Sequence, residues 1–146
     1  MHMFGLRLAV DGDVAGIRRL LEAAALPVED LADSRPDFVV AESGTTLVGV
    51  VGLQGFGDVA LLRSLAVAHS NRGAGVGSQL VSEIERLAHS RGVRSLVLLT
   101  TTAEKFFAGH GYQAADRAGL PEKILATAEF RSLCPASAAC MFKPLP

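Results

Sequence analysis

The sequence predicts a mixed α/β (α+β) domain, and three observations carry that prediction. Short strand-like runs and amphipathic stretches follow one another in the order β-α-α-β-β-β-α-β-α-β, with a tail strand behind them. A glycine-rich loop, Arg72-Gly73-Ala74-Gly75-Val76-Gly77-Ser78, joins an apolar run, Val59 to Val67, to an amphipathic segment, Gln79 to Arg91. The chain has 146 residues and is 49% hydrophobic, enough for one sizeable core, so residues 1–146 are expected to form a single domain.

Each element has a local reason. Leu6 to Val10 reads as a short strand. Asp11 or Asp13 can cap a helix whose apolar positions Val14, Ile17, Leu21 and Ala24 recur at helical spacing. Pro27 is expected to end it, with a second short helix over Val28 to Ala32. Phe38 to Glu42 and Leu47 to Leu53 form a hairpin around Ser43-Gly44-Thr45-Thr46. After a turn at Gly55 to Asp58, Val59 to Val67 is the central strand. Val76, Leu80, Ile84 and Leu87 lay an apolar stripe along a helix stopped by Gly92. Ser95 to Leu99 reads as a buried strand parallel to its neighbour. Thr101 and Glu104 have capping-box spacing for a helix that ends near Gly109. A short strand over Tyr112 to Asp116, a helical stretch over Pro121 to Ala126 and a last strand over Ala138 to Lys143 complete the series.

The loop carries the chemistry. Alternating glycines let a backbone turn tightly with its amides aimed at one ligand, and a helix start beside it favours an anion, best a phosphate. The P-loop pattern needs a Lys that is absent here, and the dinucleotide fingerprint needs its third glycine one residue later than Gly77. The net charge of −1 and the lack of a long single-sign run give no reason to expect nucleic acid or an anionic membrane as partner. No secretion signal and no bilayer-length apolar run is seen. Cys134 and Cys140 make neither a disulfide framework nor a zinc site, and no metal is expected; a reducing cytoplasm is the simple expectation.

The element order, with R-G-x-G-x-G between central strand and long helix, resembles the GNAT family of N-acetyltransferases, and the resemblance covers nearly the whole chain. Leu65-Ala66-Val67 followed by Arg72 to Gly77 resembles its central motif. Phe106-Phe107, then Gly111-Tyr112, resembles a downstream aromatic motif. The resemblance implies a mostly antiparallel central sheet with splayed parallel strands and flanking helices. It implies acetyl-CoA as co-substrate, its pyrophosphate on the amides from Arg72 to Ser78 and its pantetheine paired along Leu65 to Val67. Arg72 is then a phosphate contact, and Thr100 and Phe107 lie beside the cofactor. Phe107 stands where the family often has a tyrosine that protonates the leaving thiolate, so no general acid is carried over. A homodimer is one expected assembly.

The acceptor is an amine that must lose a proton, and Glu42, Asp58, Glu129 or ordered water are candidate bases that sequence context does not separate. Strand alternation puts Arg63, Leu65 and Val67 on one face. An arginine there either forms an ion pair, with Asp58 or a glutamate, or clamps a substrate carboxylate. Residues 128–135 and 60–67 also resemble small GNAT proteins of arsenic resistance, and more distantly short N-acetylglutamate synthases. That resemblance implies a small amino-acid-like acceptor with Arg63 and Arg131 as its binders. It also raises arsenical chelation by Cys134 and Cys140, against which small buried thiols are the ordinary reading. A non-catalytic acyl-CoA-binding module and a protein N-acetyltransferase are the alternatives.

Overall fold

A computed structural model describes residues 4–146; His2 lies outside them. The strands are β1 (Gly5–Leu8), β2 (Asp37–Ser43), β3 (Thr46–Phe56), β4 (Val59–Val67), β5 (Ser95–Thr100), β6 (Gln113–Ala114) and β7 (Ala139–Pro144). The helices are α1 (Val14–Ala23), α2 (Leu31–Ser34), α3 (Val76–Ser90), α4 (Glu104–Gly109) and α5 (Glu122–Leu125). One seven-stranded sheet runs in the order β1-β2-β3-β4-β5-β7-β6. Every neighbouring pair is antiparallel except β4 and β5, which are parallel, as expected for Ser95 to Leu99. The expected fold class therefore stands.

Apolar periodicity explains the layers. Val76, Leu80, Val81, Ile84 and Ala88 of α3 are buried on one face of the sheet against Val39, Val51, Leu62 and Leu98. Gly49 lets α3 sit close: a methyl group there would come within 2.9 Å of Leu80 and Val76 side-chain carbons. On the other face, Ile17 and Leu21 of α1 cover Val40, Val50 and Ala66, and further along Ile124 and Phe130 cover Leu61 and Val97.

Several local expectations are corrected. α1 ends at Ala23, ahead of Pro27, through Ala25 at φ +56. The short helix falls at Leu31–Ser34 rather than Val28 to Ala32. α3 begins at Val76, so Val76 to Ser78 are its first turn rather than loop. Thr101 does not cap α4: the helix begins at Glu104, later than the spacing suggests, with Ala103 at its N-cap, and Thr100 Oγ1 accepts the Ala103 N–H at 2.9 Å. The strand at Tyr112 to Asp116 shrinks to Gln113–Ala114. Glu129–Leu133, to which the sequence assigns no element, is a π-helical turn.

The largest correction lies in β4. Val50 pairs with Ala66 but Gly52 pairs with Arg63, so Ser64 and Leu65 together oppose Val51. This is a β-bulge, and Ser64 takes φ +61 to make it. The inserted residue reverses the alternation. Leu65 and Val67 pack on the α3 side with Leu62, while Ala66 packs on the α1 side. Arg63 consequently points away from Leu65 and Val67, toward α2, and does not share their face.

Asp13 does not cap α1 in the expected way. Its carboxylate turns back to accept from the Val10 N–H at 2.8 Å and from both terminal nitrogens of Arg7 at 2.8 and 2.9 Å. Those Arg7 bonds, then the Val10 bond, hold the carboxyl at a pKa of about 2. The stability it contributes is present above the unfolded value of about 4 and is lost as pH falls through about 2. Asp13→Asn is expected to lower stability by roughly 1–2 kcal/mol at pH 7, and the gap from the unsubstituted protein should close by pH 2. Urea titrations at the two pH values check this.

Candidate active site

The site begins where β4 and β5 stop pairing. They are joined only over Val59–Ser95, Ala60–Leu96 and Leu61–Val97. β4 then runs on to Val67 and β5 to Thr100 with a gap between them. The ladder to β3 sets what β4 offers to that gap. The Ala68 N–H donates to Val48 O at 2.8 Å, and Val50 lies opposite Ala66. Hydrogen-bonded residues alternate along an antiparallel pair, so Ala66 and Ala68 face β3, while the N–H and C=O of Leu65 and Val67 face the gap. Consistently, Arg72 Nε reaches Val67 O, at 3.4 Å.

Beside this edge is the glycine loop. Gly73 and Gly75 take φ +85 and +83, and a methyl group on either would meet no protein atom within 4 Å. No side chain caps α3, so the N–H groups of Val76, Gly77 and Ser78 have no intrahelical acceptor. Gly77 packs near Phe106 and Val67, and Ser78 Oγ lies 3.1 Å from His110 Nε2. Open backbone, unpaired donors and a helix dipole form an anion cradle next to the gap. Arg72 is exposed at its mouth.

The gap opens on the α1 side into a cleft of about 380 Å³, lined among others by Arg63, Ser64, Thr100, Phe107, Glu129 and Cys134. Arg63 is fully buried there. Its terminal nitrogens bond both Asp30 oxygens at 2.6 and 2.7 Å, and further donors reach Gln54 Oε1 at 3.1 Å and Ser64 Oγ at 3.3 Å. Arg63 forms an ion pair, with Asp30 as its hydrogen-bonded partner and Glu129 as the glutamate nearby, rather than with Asp58. Four of its five N–H donors are taken by Asp30, Gln54 and Ser64, and the fifth, on the second terminal nitrogen, faces Glu129. Burial pushes the Asp30 carboxyl up, but the Arg63 bonds and charge outweigh it and hold it below the usual range. Glu129, at 5% exposure, is 3.7 Å from Arg63. Burial raises its pKa; the charge of Arg63 opposes this and that of Asp30 adds to it.

The remaining candidates separate. Arg131 is exposed and lies outside the cleft lining, so it does not join Arg63. Glu42 pairs with Arg7 at 3.3 Å on the far edge of the sheet. Asp58 is exposed in the β3–β4 turn, at the end of β4 remote from Val67. Thr100 Oγ1 accepts the Ala103 N–H and keeps its hydroxyl hydrogen to donate. Phe107 is buried between Phe106 and Tyr112 and also lines the cleft. Tyr112 donates to Glu85 at 2.8 Å, under the sheet and away from the gap. Cys134 lines the cleft, where burial pushes its thiol up to about 11, while Cys140 sits in the core with Leu61 and Val97. Among the described residues no cluster of His, Cys, Asp and Glu could hold a metal, and no helix is long and apolar enough to cross a membrane.

A parted parallel pair beside an uncapped helix is the arrangement that the sequence resemblance implies. Residues 34–114, over half of the chain, match the family model of the acetyltransferase (GNAT) domain, and the chain belongs to that family. It is an N-acetyltransferase with acetyl-CoA as its co-substrate. An uncharacterized N-acetyltransferase of Chlorobaculum tepidum is 29% identical over 88% of this chain and 85% of its own. An amino-acid acetyltransferase of Ralstonia nicotianae is 32% identical over 80% of this chain. N-acetylglutamate synthase of Neisseria gonorrhoeae, solved with coenzyme A and L-arginine, superposes with a TM-score of 0.83 over 99% of this chain at 25% identity. The chain spans only 28% of the Ralstonia protein and 34% of the Neisseria chain.

Sequence reasoning missed Asp30 altogether and ranked Glu129 no higher than any surface acid. The usable signal was Arg63 itself: an arginine inside an apolar strand demands buried counter-charge. Arg63→Ala is expected to cost roughly 3–5 kcal/mol, because it strands Asp30 and Glu129. The double replacement Arg63→Met with Asp30→Leu should recover much of that loss in urea denaturation.

Proposed function

We propose that this N-acetyltransferase acts on the amine of a small amino-acid-like acceptor, by direct transfer from acetyl-CoA in a ternary complex. The observation that carries the reading is the gap itself. Backbone groups of Leu65 and Val67 line it, the amides of Val76 to Ser78 flank one end, and a small polar cleft opens at the other. The loop side would receive the pyrophosphate, and Leu65 and Val67 would pair with the pantetheine arm, so that the thioester reaches the cleft. A backbone N–H on that edge would polarise the thioester carbonyl as the amine attacks. Thr100 would donate from the opposite strand. A cleft of about 380 Å³ suits a small acceptor, and the amino-acid acetyltransferase of Ralstonia nicotianae supports an amino acid. An amino-containing arsenical is the narrower candidate, resting on the sequence resemblance of residues 60–67 and 128–135 alone.

Initial rates with acetyl-CoA and a panel test this: the common amino acids, ethylamine, an amino-containing arsenical and a lysine-bearing peptide. At least one amino acid is expected to turn over about ten-fold faster than ethylamine. Turnover of the peptide alone would overturn the acceptor class. For the loop, Gly75→Ala is expected to cost about 1–2 kcal/mol in stability, since a side chain at φ +83 is strained. Its methyl would occupy the phosphate space, so coenzyme A affinity by calorimetry should fall about ten-fold or more.

A further inference from the structure

We infer that Glu129, on the π-helical turn, is the group that holds the acceptor ammonium and takes its proton. The inference rests on the amine-acceptor reading above and assigns the base that reading leaves open.

Geometry separates Glu129 from the other acids. It is the carboxylate that lines the cleft itself, beyond the parting of β4 and β5. Asp30 stands behind Arg63, its two oxygens closed by guanidinium bonds. Glu129 is 95% buried by its 5% exposure, yet no hydrogen bond among the described residues reaches its carboxylate. Arg63 approaches only to 3.7 Å, beyond hydrogen-bond range. No fully sealed side-chain oxygen in the described residues lacks a partner, so the Glu129 oxygens open onto the cleft. A buried carboxylate with open acceptor positions is poorly satisfied alone, and a ligand with N–H donors and positive charge completes it.

The π turn supplies the placement. Thr127 Oγ1 donates to Ile124 O at 2.7 Å, and Cys134 N–H donates to Glu129 O at 3.0 Å, which pins the turn from both ends. Phe130, the next residue, is buried in the core with Leu61 and Ile124. Glu129 is thereby held facing the gap.

Three groups lie near it: Arg63 from β4, Asp30 from the turn before α2, and the thiol of Cys134, which lines the same cleft. Burial lifts the Glu129 carboxyl above the ordinary range, which makes it a better-matched base than an exposed glutamate.

The step balances as follows. The ammonium R–NH₃⁺ passes one proton to the Glu129 carboxylate. The freed nitrogen lone pair forms the C–N bond at the thioester carbon, and the C–S bond breaks with its electron pair on sulfur. The nitrogen's surplus proton goes to the thiolate, and Glu129 returns its proton to water. Amide, coenzyme A thiol and one proton result.

Glu129→Gln keeps shape and removes the base. With acetyl-CoA and L-glutamate, L-aspartate or glycine as acceptor, the variant is expected to lose about 100-fold or more in kcat/KM near pH 7. Its rate should climb with pH as solution deprotonates the amine, while coenzyme A affinity by calorimetry stays unchanged. Equal rates and equal pH profiles in the two proteins would overturn the inference while leaving the acceptor reading intact. If the unsubstituted protein turns over none of the three, the acceptor reading fails instead. Carbon-13 spectra of glutamate-labelled protein, with the Glu129 carboxyl assigned from the variant, then decide separately. Ethylammonium chloride should shift that resonance in the coenzyme A complex, and an unmoved resonance would overturn the inference.

Discussion

One buried charge organises the half of the molecule that matters for chemistry. Arg63 sits in the middle of the sheet with no exposed side-chain surface, and such a cation persists only with a countercharge and partners for its donors. The chain brings those from distant places. Asp30 and Ser34 come from around α2, Gln54 from β3, and Glu129 from the π turn near the other end of the sequence. Each of these contacts has one alternative, an unpaired guanidinium in an apolar interior. The turn before α2 and the π turn are therefore both drawn to one point, and the space between them is the cleft.

The bulge at Ser64 decides what that cleft contains. Without it, regular alternation would have put Arg63 on the same face as Leu65 and Val67, among the side chains under α3. The inserted residue swings Arg63 to the α1 side and leaves Leu65 and Val67 on the α3 side. The strand thus offers charge to one side of the sheet and, two residues on, an unpaired backbone edge to the gap. A φ of +61 at a serine is strained, and strain at such a position is retained where the surrounding structure demands it.

Much of this was legible in the sequence, and the failures have physical causes. The helix stripe of Val76, Leu80 and Ile84, the apolar run Val59 to Val67, and the turn glycines at 73 and 75 each report a local constraint, and each appears in place, while Gly77 falls inside the first turn of α3. The bulge was invisible because Ser64 is not a glycine and its neighbours are apolar on both sides, so nothing interrupts the pattern. The π turn at Glu129–Leu133 was invisible because its residues serve two masters, a buried Phe130 and a buried Glu129, and so show no helical period. Asp30 was invisible because its role is set by a residue 33 positions away, and a sequence carries no distance of that kind. Arg131 is exposed and outside the cleft lining, a placement that similarity of a tail segment does not report, since it says nothing about which side chains turn inward.

The two ends of the gap carry opposite electrostatics. At the loop end, the first-turn amides of α3 and its dipole favour negative charge. At the cleft end, Asp30 takes the close bonds of Arg63, and Glu129, 3.7 Å from the same guanidinium, is left without a hydrogen bond among the described residues. On the proposed reading, an anionic and a cationic ligand would be sorted before they meet, because either one reversed would face like charge across a medium less polarisable than water. The spacing of the cleft charges matters as much as their sign. Had Arg63 closed directly on Glu129, the carboxylate would be fixed as a strong-acid partner, its acceptor positions filled and its affinity for a proton lowered. Asp30 takes that place in the ion pair. Glu129 is left near enough to Arg63 to remain ionisable, and far enough to keep its oxygens for something that enters from the gap.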